Sequence, residues 1–409
     1  MPSFPASRLA DIAPFHVMEL MARAQALEAE GRSIVHLEVG EPDFATAGPI
    51  LEAARRFLSG GHVHYTAALG LRQLREAISD FYHTRYGLEV SPARIAVTAG
   101  ASGALLLALG VLVSPGDEWL LPDPGYPCNR HLVRLLEGRP VSLPVDAASG
   151  YQPTAAGLAA SWTPRTRGLL VASPANPTGT LLDPDTMATL AAAVAVRGGT
   201  LLVDEIYHGL TYGVDAKSAL ALSDDVFVIN SFSKYFGMTG WRLGWLVTPP
   251  GYVREIEKLA QNIYIAPSTV AQHAALAAFH PETISILEAR REEFSLRRGV
   301  LLPGLRKLGF AVATEPQGAF YVYADSNGLA EDSSSLAEQL LMEAGVAATP
   351  GLDFGSNAPR RHMRFAYTVD RHRIEEGLAR MAAFLSSRTA RASAQANAGL
   401  VGARRSGRE

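Results

Sequence analysis

Three runs of consecutive apolar residues restrict the fold of this 409-residue chain more than any other feature. They are GLLVAS (168–173), TLLVDE (200–205) and VFVIN (226–230), and helical stretches such as 103–113 and 184–197 alternate with the strands. Strands with one solvated face alternate apolar and polar residues, whereas strands buried on both faces are apolar throughout. Such strands, alternating with helices, predict a large, doubly wound and mostly parallel α/β sheet.

Further elements are predicted around this sheet. We expect strands at 33–40, 95–98 and 118–121, and helices at 13–30, 49–58, 71–86, 251–264 and 269–279. A long charged helix from residue 282 leads into a region where strands and helices alternate over fewer residues, which is typical of a smaller α+β domain. Residues 386–409 lack aromatic residues and are rich in Ala, Ser, Gly and Arg, which predicts a disordered basic tail.

The composition argues against several classes of protein. Lysine and arginine total 37 against 40 acidic residues, so the basic excess typical of nucleic-acid binders is absent. No apolar run is long enough to predict a membrane span, and the first residues lack the pattern of a secretory signal. The single cysteine, Cys128, excludes an intramolecular disulfide. We therefore expect a cytoplasmic globular protein that binds neither nucleic acid nor a membrane.

Only four of the basic residues are lysines, so few side chains can serve as an amine nucleophile. Lys258 and Lys307 lie in helical, amphipathic surroundings, and Lys217 lies in a polar segment. Lys234 differs because it follows the apolar run VFVIN within the segment SFSKYFG. A charged amine between small hydroxyl residues after a buried strand is either paired with an acid or used in chemistry.

Four other segments contain polar or aromatic residues where strands are predicted to end. Asp204 ends TLLVD and either faces the crevice where parallel sheets bind ligands or caps the next helix. The small-residue turn in TAGASGAL, at Ala101 and Ser102, opens a helix and favours a phosphate, although it lacks the spacing of a dinucleotide-binding motif. Tyr126 in PGYP either offers a ring face to a flat ligand or packs in the core. Asn176 lies in the turn PANPTGT, which on its own is equally compatible with a plain loop.

Two arginines, Arg242 and Arg364, each stand alone in an apolar, strand-like segment. A buried guanidinium requires a partner, which is either an acidic side chain or an anionic ligand such as a phosphate or carboxylate. A buried lysine, an aspartate, a tyrosine ring, a phosphate-binding turn and an arginine together match the requirements of pyridoxal phosphate.

Eight motifs in this order resemble the class I/II aminotransferases of pyridoxal phosphate fold type I, the aspartate aminotransferase superfamily. They are GEPDF, YTAALGLRQLREAI, TAGASGAL, PGYP, NPTG, DEIY, SFSKYFGMTGWRLGW and MRFAY. The resemblance extends from about residue 14 to residue 385, and eight motifs in family order are far more specific than any one of them. It implies an N-terminal arm (1–13), a large cofactor-binding domain (47–285) and a small domain formed by 14–46 and 286–385.

The resemblance implies a role for each matching position. Lys234 would form the Schiff base with the cofactor and move the substrate's α-proton, and Asp204 would pair with the pyridine nitrogen. Tyr207 and Asn176 would bind the 3-hydroxyl group, and Tyr126 would stack on the ring. The phosphate contacts implied are the Ala101 and Ser102 backbone, Ser231, Ser233, Arg242 and, from the neighbouring subunit of a homodimer with shared active sites, Tyr65. The implied contacts to the substrate α-carboxylate are Arg364, Asn176 and the Gly40 backbone.

The implied activity is transfer of the amino group of an L-amino acid to a 2-oxo acid. The apolar entrance segment 14–17 and the lack of an obvious second arginine favour a neutral or hydrophobic amino acid, with aspartate as an alternative. A pyridoxal-phosphate-dependent carbon–sulfur β-lyase is the alternative reaction, because fold and cofactor do not fix the chemistry. A non-enzymatic regulator would need a DNA-binding domain ahead of residue 14, for which the sequence has too few residues. No metal site is expected.

Overall fold

The computed structural model describes residues 5–406. Its helices are α1 (His16–Ala29), α2 (Gly48–Ser59), α3 (Arg72–Tyr86), α4 (Gly100–Leu112), α5 (Pro127–Leu135), α6 (Ala155–Ser161), α7 (Pro184–Val196), α8 (Val253–Ile263), α9 (Thr269–Ala275), α10 (Pro281–Lys307), α11 (Ser333–Gln339) and α12 (Arg371–Ser406). Its strands are β1 (Val35–His36), β2 (Ile95–Thr98), β3 (Glu118–Asp123), β4 (Arg139–Pro144), β5 (Thr166–Ala172), β6 (Thr200–Asp204), β7 (Phe227–Ser231), β8 (Gly244–Val247), β9 (Tyr321–Asp325), β10 (Val346–Ala347), β11 (Thr349–Pro350) and β12 (His362–Ala366).

The largest sheet has seven strands in the order β2-β8-β7-β6-β5-β3-β4. The strands from β4 to β7 pair in parallel, and β8 runs antiparallel to both β7 and β2. The predicted doubly wound, mostly parallel α/β sheet is therefore confirmed.

Both faces of this sheet are buried, which explains the apolar runs. Along β6, Leu202 packs on one face with Phe227 and Ile229 of the neighbouring strand. Leu201 and Val203 point to the opposite face and pack in the other cluster of the core. Side chains alternate between the two faces, and both faces are covered. Every position of such a strand must therefore be apolar except at the ends of the strand.

A smaller α+β region follows the large sheet in the sequence. Its antiparallel sheet has the order β11-β12-β9, and a two-stranded parallel pair joins β1 to β10. The pairing of Val35 with Val346 joins a segment near the chain start to this region, and the division into a large and a small domain stays a prediction. The predicted boundary between residues 285 and 286 falls inside α10, which is one continuous helix of 27 residues.

The structure differs from the sequence predictions at several elements. The strand expected at 33–40 is limited to the two residues of β1, because the backbone beyond it bonds to two different strands. Leu37 N donates to Ala347 O at 2.9 Å, and Ala366 N donates to Leu37 O at 2.7 Å. Three elements beside the large sheet, β4, α5 and α6, lie outside the predicted ones: β4 is an edge strand with mixed composition, and the two helices are short. The strand-like segment around Arg242 contains β8, which begins only at Gly244.

The predicted disordered tail also differs from the structure. Residues 386–406 continue α12, whereas the sequence predicted disorder from 386 to 409, and residues 407–409 lie outside the described part of the chain. Alanine recurs throughout this segment, and alanine has the highest helix propensity of all residues. Among the helices described, none is long and apolar enough to cross a membrane.

Candidate active site

A cavity of about 460 Å³ lies where β6 ends and the segment after β7 begins. Most of the predicted site residues line it: Gly40, Ala101, Ser102, Tyr126, Asn176, Asp204, Tyr207, Ser233, Lys234, Arg242 and Arg364. Two predicted residues do not. Ser231 lies behind the wall, with its hydroxyl oxygen 3.0 Å from Ser233 Oγ, and Tyr65 is 80% exposed on the surface.

The centre of the cavity holds Asp204 and Lys234. Asp204 is the last residue of β6 and is 5% exposed, and its Oδ1 accepts a hydrogen bond from Ile206 N at 3.0 Å. Burial raises the pKa of Asp204 to about 6. Lys234 Nζ donates to Gly40 O at 2.8 Å, and burial lowers the pKa of this amine to about 8, against the opposing charge of Glu41. An amine with this pKa is neutral often enough near neutral pH to accept a proton.

Two tyrosines in the cavity wall come from distant segments. Tyr207 Oη lies 2.9 Å from Tyr321 Oη, and both side chains are buried. Burial raises the pKa of Tyr207 well above its usual value, so the phenol keeps its proton and can donate it. Tyr126 contacts the edge of Phe15, with 6.2 Å between the ring centroids.

One end of the cavity is formed by the N-terminus of α4. The first N–H groups of a helix have no intrahelical acceptor, and here they belong to Ala101 and Ser102 beside the Ser233 hydroxyl. Gly100 precedes them in a left-handed conformation (φ +71°), and a Cβ built at Gly100 would lie 2.8 Å from Arg242 Nη2. This arrangement of N–H groups, a hydroxyl and a guanidinium fits a phosphate group.

Arg242 is not buried inside a strand, as its apolar surroundings in the sequence suggested. It is exposed and adopts a left-handed conformation (φ 54°) just after the turn Thr239–Trp241 and ahead of β8. Its Nη1 donates to Thr239 O at 3.0 Å. The left-handed backbone turns the guanidinium towards the start of α4, and the strand itself begins only at Gly244.

The other end of the cavity is formed by Arg364, which is 2% exposed within β12. Its Nη1 donates to Asn176 Oδ1 at 2.9 Å, and its Nη2 donates to Glu38 O and lies 3.4 Å from Thr349 Oγ1. Among the described residues Arg364 forms no salt bridge with an acidic side chain, Asp353 acts on it only through its charge, and Arg364 Nε has no hydrogen-bond partner. A buried guanidinium without an acidic partner fits a carboxylate ligand better than the structural ion pair that the sequence left open.

The side of the cavity formed by the chain start is apolar. Phe15, Val17 and Met18 line it together with Leu105 of α4. The carboxylate of Asp353, which is 1% exposed, accepts hydrogen bonds from His16 N (3.2 Å) and Val17 N (3.3 Å) at the start of α1. These bonds hold the entrance segment against the cavity.

Four further residues that were not predicted also line the cavity, namely Tyr321, Glu41, Thr239 and Ile206. Glu41 and Ile206 belong to motifs that were recognised, GEPDF and DEIY, and were simply not assigned. Tyr321 lies in GAFYVY, an ordinary strand pattern that carries no chemical signal. Among the described residues, no group of His, Cys, Asp and Glu is arranged to hold a metal ion.

The chain is similar to known aminotransferases over most of its length. Residues 32–381 match the family described as aminotransferase class I and II. The valine–pyruvate aminotransferase of Mycobacterium tuberculosis is 37% identical, over 92% of this chain and 98% of that protein. The aspartate/prephenate aminotransferase of Thermus thermophilus is 34% identical, over 92% and 98%.

Solved structures agree with these matches. An aminotransferase from Mycobacterium tuberculosis superposes with a TM-score of 0.91 at 37% identity, over 94% of this chain and all of that one. The Thermus thermophilus aspartate aminotransferase with maleate superposes with a TM-score of 0.89 at 33% identity, over 94% of this chain. With the fold and the cavity as described, these matches establish that the chain is a transaminase of fold type I and belongs to the aminotransferase class I and II family.

Proposed function

We propose that this transaminase binds pyridoxal phosphate through a Schiff base to Lys234 and transfers the amino group of a neutral or hydrophobic L-amino acid to a 2-oxo acid. The observation that carries the proposal is the position of Lys234. Its amine is held by a backbone carbonyl rather than by a carboxylate, in the same cavity as Asp204 and Arg364. A lysine held in this way keeps its lone pair available once it loses its proton.

The residues of the cavity fit the cofactor from its ring to its phosphate. Asp204 would pair with the pyridine nitrogen, while Tyr207 and Asn176 would bind the 3-hydroxyl group and Tyr126 would cover the ring. The phosphate would be bound by the backbone N–H groups of Ala101 and Ser102 with the side chains of Ser233 and Arg242, and Ser231, which lies behind the wall, would hold the Ser233 hydroxyl instead of contacting the phosphate as the resemblance implied. When bound, the cofactor supplies an electron sink for the charge that develops at the substrate's α-carbon.

Lys234 and Arg364 would do the remaining work on the substrate. Arg364, with Asn176 and the Gly40 backbone, would bind the α-carboxylate and orient the α-C–H bond. Lys234 Nζ would then remove the α-proton of the substrate and deliver it to the carbon that was the aldehyde carbon of the cofactor. Asn176 Oδ1 already accepts from Arg364, which leaves its Nδ2 free to donate to the cofactor or the substrate.

The apolar wall supports the choice of substrate. Arg242 and Arg364 are the two arginines that line the cavity among the described residues, and the proposal assigns both of them to other groups. Phe15, Val17, Met18 and Leu105 remain for the side chain, and Glu41 repels a distal carboxylate. A valine–pyruvate aminotransferase is among the relatives, as are enzymes named for aspartate.

We propose further that the enzyme is a homodimer with shared sites. Tyr65 is exposed next to other exposed apolar side chains, namely Val63, Ile263 and Ile265. Thr269 Oγ1 donates to His64 O at 2.6 Å, which brings the Tyr65 loop beside the segment that follows α8. Exposed apolar side chains on neighbouring segments are typical of a subunit interface, and such an interface would let Tyr65 reach the phosphate of a neighbouring subunit.

The test is the absorbance spectrum of the purified protein with pyridoxal phosphate, before and after adding amino acids. We expect a visible band that Lys234→Ala abolishes, with a fall in activity of more than about 10³-fold. The matched control is Lys258→Ala, since Lys258 forms an ion pair with Glu255 on the surface of α8. Valine, leucine or phenylalanine should convert the band to the aminated form of the cofactor faster than aspartate does.

Two outcomes would contradict the proposal. A protein that shows no visible band after addition of pyridoxal phosphate does not use this cofactor. A band that persists while pyruvate and ammonia are released would identify the β-lyase instead.

A further inference from the structure

Tyr321 is a residue of the cavity wall that contacts both the cofactor side and the carboxylate side of the site. Its Oη lies 2.9 Å from Tyr207 Oη. The guanidinium carbon of Arg364 lies 4.3 Å from the centroid of its ring. Tyr321 is the first residue of β9, which pairs with β12, the strand that carries Arg364.

The direction of the Tyr207–Tyr321 hydrogen bond follows from counting protons. A phenol has one proton to donate, and the proposed function directs that of Tyr207 towards the 3-oxygen of the cofactor. The oxygen of Tyr207 can then only accept in its contact with Tyr321, so Tyr321 must be the donor. A phenol that accepts one hydrogen bond becomes a stronger donor in the next.

The ring of Tyr321 supports Arg364, which forms no salt bridge with an acidic side chain in the part of the chain that the structure describes. A guanidinium over an aromatic face is stabilised most when water is excluded, and Arg364 is almost completely buried. Phe354 adds a second ring, with its centroid 4.9 Å from the guanidinium carbon. These rings hold the guanidinium without competing with an anionic ligand for its charge.

Gly40 shows that the hydroxyl of Tyr321 is closely fitted into the site. A Cβ built at Gly40 would lie 1.8 Å from Tyr321 Oη, so any other residue at this position would displace the tyrosine. The carbonyl of the same glycine accepts from Lys234 Nζ. The hydroxyl therefore packs against the backbone that positions the catalytic amine.

We propose that Tyr321 is a positioning residue with two separable functions. Its hydroxyl strengthens the donation from Tyr207 to the 3-oxygen of the cofactor, and its ring sets the orientation of Arg364 towards the substrate carboxylate. This inference rests on the proposed function, because it requires the cofactor to occupy the cavity.

The test is a pH titration of the visible absorbance of the loaded protein, which does not depend on turnover. Donation to the 3-oxygen competes with the proton on the Schiff-base nitrogen, so weaker donation raises the pKa at which that proton is lost. We expect Tyr321→Phe to raise this pKa by about 0.1 to 0.3 unit, because the hydrogen bond from Tyr207 is weakened by part of its strength and not lost. Since the ring remains, the KM for the amino acid should change by less than about threefold.

Tyr321→Leu tests the second function, because it removes the ring as well. It should raise the KM by about tenfold beyond the effect of Tyr321→Phe. The matched control is Tyr367→Phe, which removes a buried hydroxyl that donates to Ala319 O at 3.3 Å and does not touch the cavity. It should leave both the pKa and the KM unchanged.

A double variant separates positioning from general disturbance. In a Tyr207→Phe background, Tyr321→Phe should produce no further shift, because the hydrogen bond that it strengthens no longer exists. An unshifted titration of Tyr321→Phe, or an equal shift in the Tyr207→Phe background, would overturn the inference while leaving the proposed function intact. A wild-type protein without a titratable visible band would instead refute the proposed function.

Discussion

The two ends of the cavity, which we propose to bind the cofactor phosphate and the substrate carboxylate, are built in different ways. At the phosphate end the donors are mainly backbone N–H groups of α4, and Arg242 is an exposed side chain with one hydrogen bond to Thr239 O. At the carboxylate end Arg364 is buried, bonded to Asn176 and Glu38, and supported by two aromatic rings. In the proposed reaction the phosphate would stay bound through many turnovers, whereas each substrate would bind anew. The arginine is therefore held most firmly at the end where a ligand would have to be oriented in every turnover.

The largest expected effect is at the carboxylate end. Arg364→Lys replaces the planar guanidinium and its several N–H donors by a single ammonium group. The ammonium group cannot bind Asn176, Glu38 and a carboxylate together. We expect kcat/KM for the amino acid to fall by about 10²-fold to 10³-fold, mostly through KM. Steady-state kinetics should be compared with Arg361→Lys, since Arg361 forms only a surface ion pair with Asp325 at 2.6 Å. A fall in kcat/KM of less than about threefold would show that Arg364 does not bind the substrate α-carboxylate.

The next effect concerns Asp204, which lies between the two ends. Burial raises its pKa from 3.8 to about 6, so the folded apoprotein holds more protons than the unfolded chain between these values. The contribution of the carboxyl to stability is therefore fully present below about pH 4 and is lost as the pH rises through 6. Relative to wild type, we expect Asp204→Asn to stabilise the apoprotein above pH 6, by at most about 3 kcal/mol.

Thermal or urea unfolding of the apoproteins at pH 4 and pH 7 measures this difference. Asp225→Asn, at an exposed position ahead of β7, is the control and should show no such trend. Adding pyridoxal phosphate should reverse the order, because the variant lacks the charge for the pyridine nitrogen. An advantage for Asp204→Asn that is equal at both pH values would contradict the explanation.

The smallest effect is expected at the phosphate end. Arg242→Ala removes one exposed charge but leaves the N–H groups of α4 in place, so the dissociation constant of the cofactor should rise only about tenfold. Higher salt should shrink this difference, since exposed charges are screened. Titration of the apoprotein with pyridoxal phosphate provides the measurement, with Arg254→Ala, in a surface ion pair with Glu257, as the control. An effect as large as that of Arg364→Lys would remove the contrast between the two ends.

The sequence predicted one end of the site better than the other for a physical reason. The α4 turn and the SFSKYFG segment are short stretches at the ends of strands, so their chemistry is visible locally. The partners of Arg364 come from chain segments far apart, and two of them, the Glu38 carbonyl and the Tyr321 ring, carry no local signal. The left-handed backbone of Arg242 was missed because neighbouring apolar residues favour a strand, whereas the turn before β8 decides the conformation.

The hydrogen bond from Arg364 to the Glu38 carbonyl has a consequence for how the protein is made. Arg364 and the Glu38 carbonyl that holds it are 326 residues apart in the chain. As the chain leaves the ribosome, all the strands of the large sheet emerge while β10 and β12 are still to be synthesised. The residues proposed to bind the cofactor ring and phosphate can therefore assemble first, and the proposed carboxylate site is completed only after β12 has also been synthesised.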